Sequence, residues 1–144
     1  MGKKRPAKPL KWVVLDASIL VKIVLPEESE QEVKQALAIF KRFTEGKVDV
    51  FLPAFWSFEV GNVLLRKLSN KLFEEKFHFL LQQPFQIYAF NEMESITIGK
   101  FAKLYNVSFY DAAYHLLAYF TDCLFITADR KYFKKFKADR HVIL

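Results

Sequence analysis

Apolar positions along the chain change their period repeatedly, and each change marks an element. Trp12 to Leu15 is a short, apolar, β-branched run suited to a buried strand. Ala17 to Leu25 stays apolar until Pro26 and reads as a short helix entered through a turn at Asp16. From Ser29 onward, Val33, Leu37, Phe40 and Phe43 recur at helical spacing with charges between them, and Gly46 stands where such a helix ends. Val48 to Leu52 predicts a second strand, after which Pro53 can open a helix carrying Phe55, Phe58, Val60 and Val63.

Ser69 and Asn70 interrupt the period before Phe73, Phe77, Leu80 and Leu81 resume it, up to the stop at Gln82, Gln83 and Pro84. Gln86 to Phe90 is a short strand candidate. Asn91 followed by Glu94 has the form of a helix cap, with Ile98, Phe101, Ala102 and Tyr105 as the buried face behind it and Asn106 as the terminator. Ser108 starts a helix through Phe120, Cys123 to Thr127 predicts a strand, Arg130 to Phe136 a short basic helix, and His141 to Leu144 a terminal strand. Strands alternating with helices predict an α/β fold with a mainly parallel sheet covered by helices, because parallel neighbours need crossover connections.

Composition refines this picture in three respects. The 144 residues, 52% of them hydrophobic, fit one globular unit. Residues 1–10, with Lys3, Lys4, Arg5, Lys8, two prolines and no acid, lack the means to bury a core and are expected to be a flexible basic extension before a domain over 11–144. The formal charge of +6 favours a polyanionic partner, although charge alone does not separate nucleic acid from an anionic membrane surface. A single cysteine, Cys123, excludes an internal disulfide, and the Cys/His spacing of a zinc finger is absent. No apolar run approaches the roughly 20 residues of a membrane span, so a soluble cytoplasmic protein is expected.

The candidate chemistry starts at Asp16, a carboxylate with apolar sequence on both sides, where burial is costly without a partner. In open parallel sheets function gathers beyond the carboxyl ends of strands, and Asp16 and Asp129 each follow a predicted strand. Helix capping accounts for Asp129 taken alone, and the spacing of Asp111 from Ser108 is that of a capping box. Glu59 sits inside a predicted helix, where solvent exposure or a pair with Arg66 would be ordinary. If all four acids converge, two carboxylates about 4 Å apart repel by roughly 4 kcal/mol at an effective dielectric near 20, so the cluster must take up protons or hold a cation. Oxygen donors without His or Cys suit Mg²⁺ or Mn²⁺, a route to phosphodiester hydrolysis. Ser18 and Thr127, each two residues from an aspartate, can support such a rim, and turn chemistry explains them equally well.

The segments VVLDASILVKIVLPEE, LPAFWSFEVGNVLLR, VSFYDAAYHLLA and LFITADRKYF together resemble the PIN domain family, most of all its VapC-type toxin ribonucleases. The resemblance implies a three-layer α/β/α sandwich with a five-stranded parallel sheet of order 3-2-1-4-5. It also implies Mg²⁺- or Mn²⁺-dependent cleavage of RNA, homodimerisation and inhibition by an antitoxin. Asp16, Glu59, Asp111 and Asp129 would be the acidic cluster, and Ser18, Asn62 and Thr127 its supporting polar groups. Relatives in RNA processing and quality control, and PIN modules that bind without cleaving, are the alternatives.

Arg130, Lys131, Lys134, Lys135 and Lys137 follow Asp129 and could meet an RNA backbone, or form a solvated helix face. Tyr110, Tyr114 and Tyr132 are weighed between base stacking and core, and His115 is expected to be structural. No Gly-rich phosphate loop is present, and the residue two after Asp16 is Ser18 rather than the second aspartate of a haloacid-dehalogenase-type phosphatase. Nothing in the sequence reads a 2′-hydroxyl, so a DNA substrate stays open.

Overall fold

A computed structural model describes residues 11–25, 30–139 and 142–143. The basic segment 1–10, the start of the second helix at Ser29 and the ends of the terminal strand at His141 and Leu144 lie outside the described residues.

The elements run β1 (Lys11–Leu15), α1 (Ala17–Val24), α2 (Glu30–Thr44), β2 (Val48–Pro53), α3 (Trp56–Lys67), α4 (Asn70–Leu81), β3 (Gln86–Tyr88), α5 (Glu92–Tyr105), α6 (Phe109–Thr121), β4 (Leu124–Ile126), α7 (Arg130–Lys135) and β5 (Val142–Ile143). The sheet has five strands in the order β3-β2-β1-β4-β5, and every pairing is parallel. Helices cover it in a three-layer α/β/α arrangement. On one face α6 packs across β1, β2 and β4 and against α5; α1 packs with α2 and α3.

Central position explains the sequence of β1. It pairs with β2 and β4 and is covered on both faces, so Val13, Val14 and Leu15 are almost wholly buried rather than alternating. The adjoining α1 is buried nearly all round, which is why its sequence is apolar throughout and lacks a polar stripe. Helix α2, by contrast, alternates charged and apolar positions because, among its described side chains, only Val33, Ala36 and Phe43 turn fully inward.

The punctuation is chemical. Gly46 (φ 75°) and Asn106 (φ 55°) end α2 and α5 in left-handed geometry. Asn91 and Glu94 close a reciprocal capping box on α5, and Ser108 accepts the Asp111 N–H at the start of α6. Several boundaries shift by a residue or two, the strand predicted over Cys123 to Thr127 narrowing to Leu124–Ile126, and two of the shifts have a clear cause. Pro53 is the last residue of β2, not the first of a helix, since its missing N–H is tolerated at a strand end, and α3 begins at Trp56. β3 stops at Tyr88 because Tyr88 turns its hydroxyl to Glu94 (2.7 Å) and the chain there enters the α5 cap.

Candidate active site

The carboxyl ends of β1 and β4 lie side by side, with Leu15 in register with Ile126. The residue after each strand therefore shares one rim. The Asp16 N–H donates to the Ile126 carbonyl (3.0 Å), which fixes the turn that carries its side chain. That side chain makes no capping bond to α1. Its Oδ2 instead accepts from the Thr127 hydroxyl (2.8 Å) and the Ser18 hydroxyl (3.1 Å).

Thr127 is fully buried, and its oxygen also accepts the Asp129 N–H (3.0 Å). Ser18 likewise accepts the Ala128 N–H (3.2 Å). Two small hydroxyls thus tie the loop after β4 to the carboxylate after β1. Thr127→Val leaves both Asp16 and the Asp129 N–H short of a partner, and is expected to cost about 1–3 kcal/mol of stability in denaturant unfolding.

A cavity of about 290 Å³ opens above this rim, and all four predicted acids line it: Asp16, Glu59 from α3, Asp111 from the first turn of α6, and Asp129 at the start of α7. Asp129 also caps α7, its Oδ1 accepting the Tyr132 N–H (3.0 Å), so the capping and rim readings hold together. Glu59 makes no pair with Arg66, whose Nε donates instead to the Asn62 carbonyl (3.4 Å). Asn62 itself is exposed and lies outside the cavity lining, contrary to its expected supporting role: one residue on, at i+4 from Glu59, Val63 takes the inward position.

The acids are electrostatically strained in each other's presence. Asp16 is 6% exposed, and burial, reinforced by the Asp111 charge and opposed by the Thr127 and Ser18 hydroxyls, pushes its carboxyl up to about 6. Burial and the Asp16 charge push Glu59 up to about 7. Asp111 is raised as well, by burial and by Asp129, against the favourable Ser108 hydroxyl. Glu59 Oε1 and the Tyr114 hydroxyl are both buried and face each other, yet fall short of hydrogen-bond geometry. A buried carboxylate oxygen without a donor is costly, and its position on the wall of the acid-lined cavity is one a cation would satisfy.

Among the described residues no three carboxylates approach closely enough to chelate one ion together. The donor set is therefore that of a hard ion held through one or two carboxylates and otherwise by water, the habit of Mg²⁺ and its relatives. The residues fit such an ion.

Two members of the basic segment have partners elsewhere in the fold. Arg130 pairs with Glu32 of α2 (Nε to Oε1, 2.9 Å), and Lys135 donates to the Tyr105 carbonyl (2.6 Å) at the end of α5. These long-range partners engage Arg130 and Lys135, while Lys131 and Lys134 are exposed. Of the tyrosines weighed for base stacking, Tyr114 and Tyr132 are buried, while Tyr110 is 51% exposed and packs on Phe55 with ring centroids 5.0 Å apart. His115 is buried as expected, bonded through Nδ1 to the Tyr132 hydroxyl and through Nε2 to Asp139, both at 2.8 Å.

Two lysines that the sequence reading passed over line the acid cavity: Lys22 of α1 and Lys67 of α3. Their signal was the helical repeat. Ser18, Val21 and Lys22 form one face of α1, and Glu59, Val63 and Lys67 one face of α3.

The PIN domain profile matches residues 13–138, spanning the whole acid-bearing region. The chain belongs to the PIN domain family. Solved PIN-like folds agree: Mycobacterium tuberculosis VapC20, described as a Sarcin-Ricin loop cleaving toxin, is 13% identical with a TM-score of 0.62, over 80% of this chain and 86% of that one. PAE2754 of Pyrobaculum aerophilum is 18% identical with a TM-score of 0.66, over 96% and 91% of the two chains. VapBC2 of Rickettsia felis, solved bound to a DNA fragment from its promoter, is 12% identical with a TM-score of 0.65, over 92% and 96%. A search of curated protein sequences returns no match. The five-stranded order and three-layer architecture implied by the PIN resemblance are those observed. Among the described residues no helix is long and apolar enough to cross a membrane.

Proposed function

We propose that this PIN domain is a divalent-metal-dependent endoribonuclease acting as the toxin of a VapBC-type pair. The observation that carries the reading is the convergence of four acids, from four separate elements, on one cavity at the carboxyl edge of the sheet. Family membership supports nuclease activity, and the likeness to VapC20 and VapBC2 supports the narrower assignment to RNA and to an antitoxin partner.

Asp16, Glu59, Asp111 and Asp129 are the residues that would hold the divalent ion. Bound Mg²⁺ or Mn²⁺ supplies Lewis acidity for in-line attack of water on a phosphodiester. The chain's own groups do the rest. Thr127 and Ser18 hold one Asp16 oxygen, and Asp16 lines the cavity. Glu59, whose carboxyl burial and the Asp16 charge push up to about 7, is placed to take a proton near neutral pH.

Labelled single-stranded RNA incubated with the protein should be cut in Mn²⁺ or Mg²⁺ and left intact in EDTA, with matched DNA as the comparison. Cutting that persists in EDTA sinks the metal-dependent reading, and equal cutting of DNA sinks the RNA assignment. Growth arrest on expression, relieved by co-expressing a small partner from the adjoining reading frame, tests the toxin role. Homodimerisation and a cytoplasmic location belong to the same proposal, and light scattering checks the first.

A further inference from the structure

Asp111 and Asp129 are a divide between two cavities. On one side lies the acid cavity; on the other a cavity of about 220 Å³ is lined by the same two carboxylates, by Asn106 and Val107 from the turn between α5 and α6, and by Lys131 and Tyr132 of α7. Lys135 ties the turn to the helix, its Nζ donating to the Tyr105 carbonyl (2.6 Å), so a bond internal to the fold holds the two walls together. Two side chains of the lining are uncommitted. Lys131 is exposed, and among the described residues its ammonium has neither an ion pair nor a hydrogen bond; the Asn106 amide, also exposed, has no hydrogen-bond partner there either.

These groups have the chemistry of a nucleotide site. Val107 and Tyr132 offer apolar surface to the face of a base. The Asn106 amide carries a donor and an acceptor side by side, the pattern that pairs with a base edge, and single-stranded RNA presents such edges unpaired. Lys131 adds a charge for the phosphate. A bare anion is the poorer occupant, because Asp111 and Asp129 share the wall and repel it.

Resting on the nuclease reading above, we propose that this second cavity is the base-recognition subsite for the nucleotide adjoining the cleaved phosphodiester, with Asn106 reading the base edge and Lys131 holding the phosphate. The strand then crosses the divide of Asp111 and Asp129, the bond to be cut lying over the acid cavity and the neighbouring base in the second one. Lys135 serves as a strut of the wall and keeps its bond to the end of α5.

The test uses the full chain and a set of short labelled RNAs that differ at one base, with affinity read by fluorescence anisotropy in EDTA across a salt series and cut positions mapped by sequencing in Mn²⁺. Lys131→Gln should make the slope of log K against log salt shallower by about 0.7 on every RNA, the share of one phosphate contact on a single strand. Lys134→Gln, on the same helix but outside the cavity lining, should leave the slope unchanged. Asn106→Gly keeps the left-handed end of α5. It should leave the slope alone and flatten the preference among bases, in affinity and beside the cut, by about fivefold or more. Both residues are exposed, so the variants are expected to fold. A slope untouched by Lys131→Gln, reduced equally by Lys134→Gln or reduced only by Lys67→Gln overturns the proposal. So does a base preference that survives Asn106→Gly, or a wild type that cuts RNA with no preference at any position, and the nuclease reading then stands without the subsite. Wild-type protein that binds with the predicted variant effects but never cuts RNA in Mn²⁺ keeps the subsite and removes the nuclease reading.

Discussion

Asp16→Asn is expected to lower metal-dependent RNA cleavage by about 100-fold or more while the protein stays folded. Removing a mere outer partner of a metal ligand typically costs 10–100-fold in affinity or activity, and Asp16 is the carboxylate around which the cavity is built. The substitution keeps an oxygen to accept from Thr127 and Ser18, so the rim's hydrogen bonds survive. It also removes a buried negative charge that raises Glu59. Loss of activity with equal or higher thermal stability is the signature of a functional acid; loss of both would mark a structural one. Circular dichroism melts beside the cleavage assay separate the two.

The second large effect is on the pH dependence of stability in the metal-free protein. Asp16 rises from 3.8 to about 6 and Glu59 from 4.5 to about 7. A carboxyl raised on folding binds its proton more tightly in the folded chain, so stability is highest below the unfolded value and falls as pH climbs through the folded one. The window lies between about pH 4 and 7, with the full penalty present above it. A shift of about two units is worth about 3 kcal/mol. Because the Asp16 charge is part of what raises Glu59, the two penalties overlap and the pair is worth about that much, not twice it. At 2–4 °C per kcal/mol for a chain of this size, the melting temperature should drop by about 5–10 °C from pH 5 to pH 8. Saturating Mn²⁺ should flatten or reverse the trend by binding the ionised form, and Asp16→Asn should flatten it without metal. A melting temperature that rises from pH 5 to pH 8 in EDTA would contradict the strained cluster.

Much of this was legible in the chain because its signals are local. The apolar run on both sides of Asp16 announced a central strand and a buried helix, and both are present. Ser108, Asn91, Asn106 and Gly46 act within one turn of themselves, and each delimits the helix end it was expected to delimit. The carboxylates at strand ends could be placed because a parallel sheet gathers its carboxyl ends on one edge.

What was not legible depended on facing residues distant in sequence. Arg130 reads as a free RNA contact until Glu32, from another helix, is found beside it, and Lys135 until the end of α5 is. Asn62 and Val63 differ by one step of about 100° around α3, a distinction the packing decides and a lone polar residue does not. Lys22 was hidden for the opposite reason: in an apolar stretch it reads as an interruption, and only the cavity shows that Asp16 and Lys22 line the same space.

Mn²⁺ binding to the folded, RNA-free protein tests the central claim most directly, because the acid cluster is held to be a cation site before it is anything else. Titration calorimetry at pH 7 should show Mn²⁺ binding by the wild type, with protons released from the raised carboxyls, and should show that binding abolished in Asp16→Asn protein whose circular dichroism is unchanged. Equal Mn²⁺ binding by the two proteins would place the ion elsewhere and contradict the account.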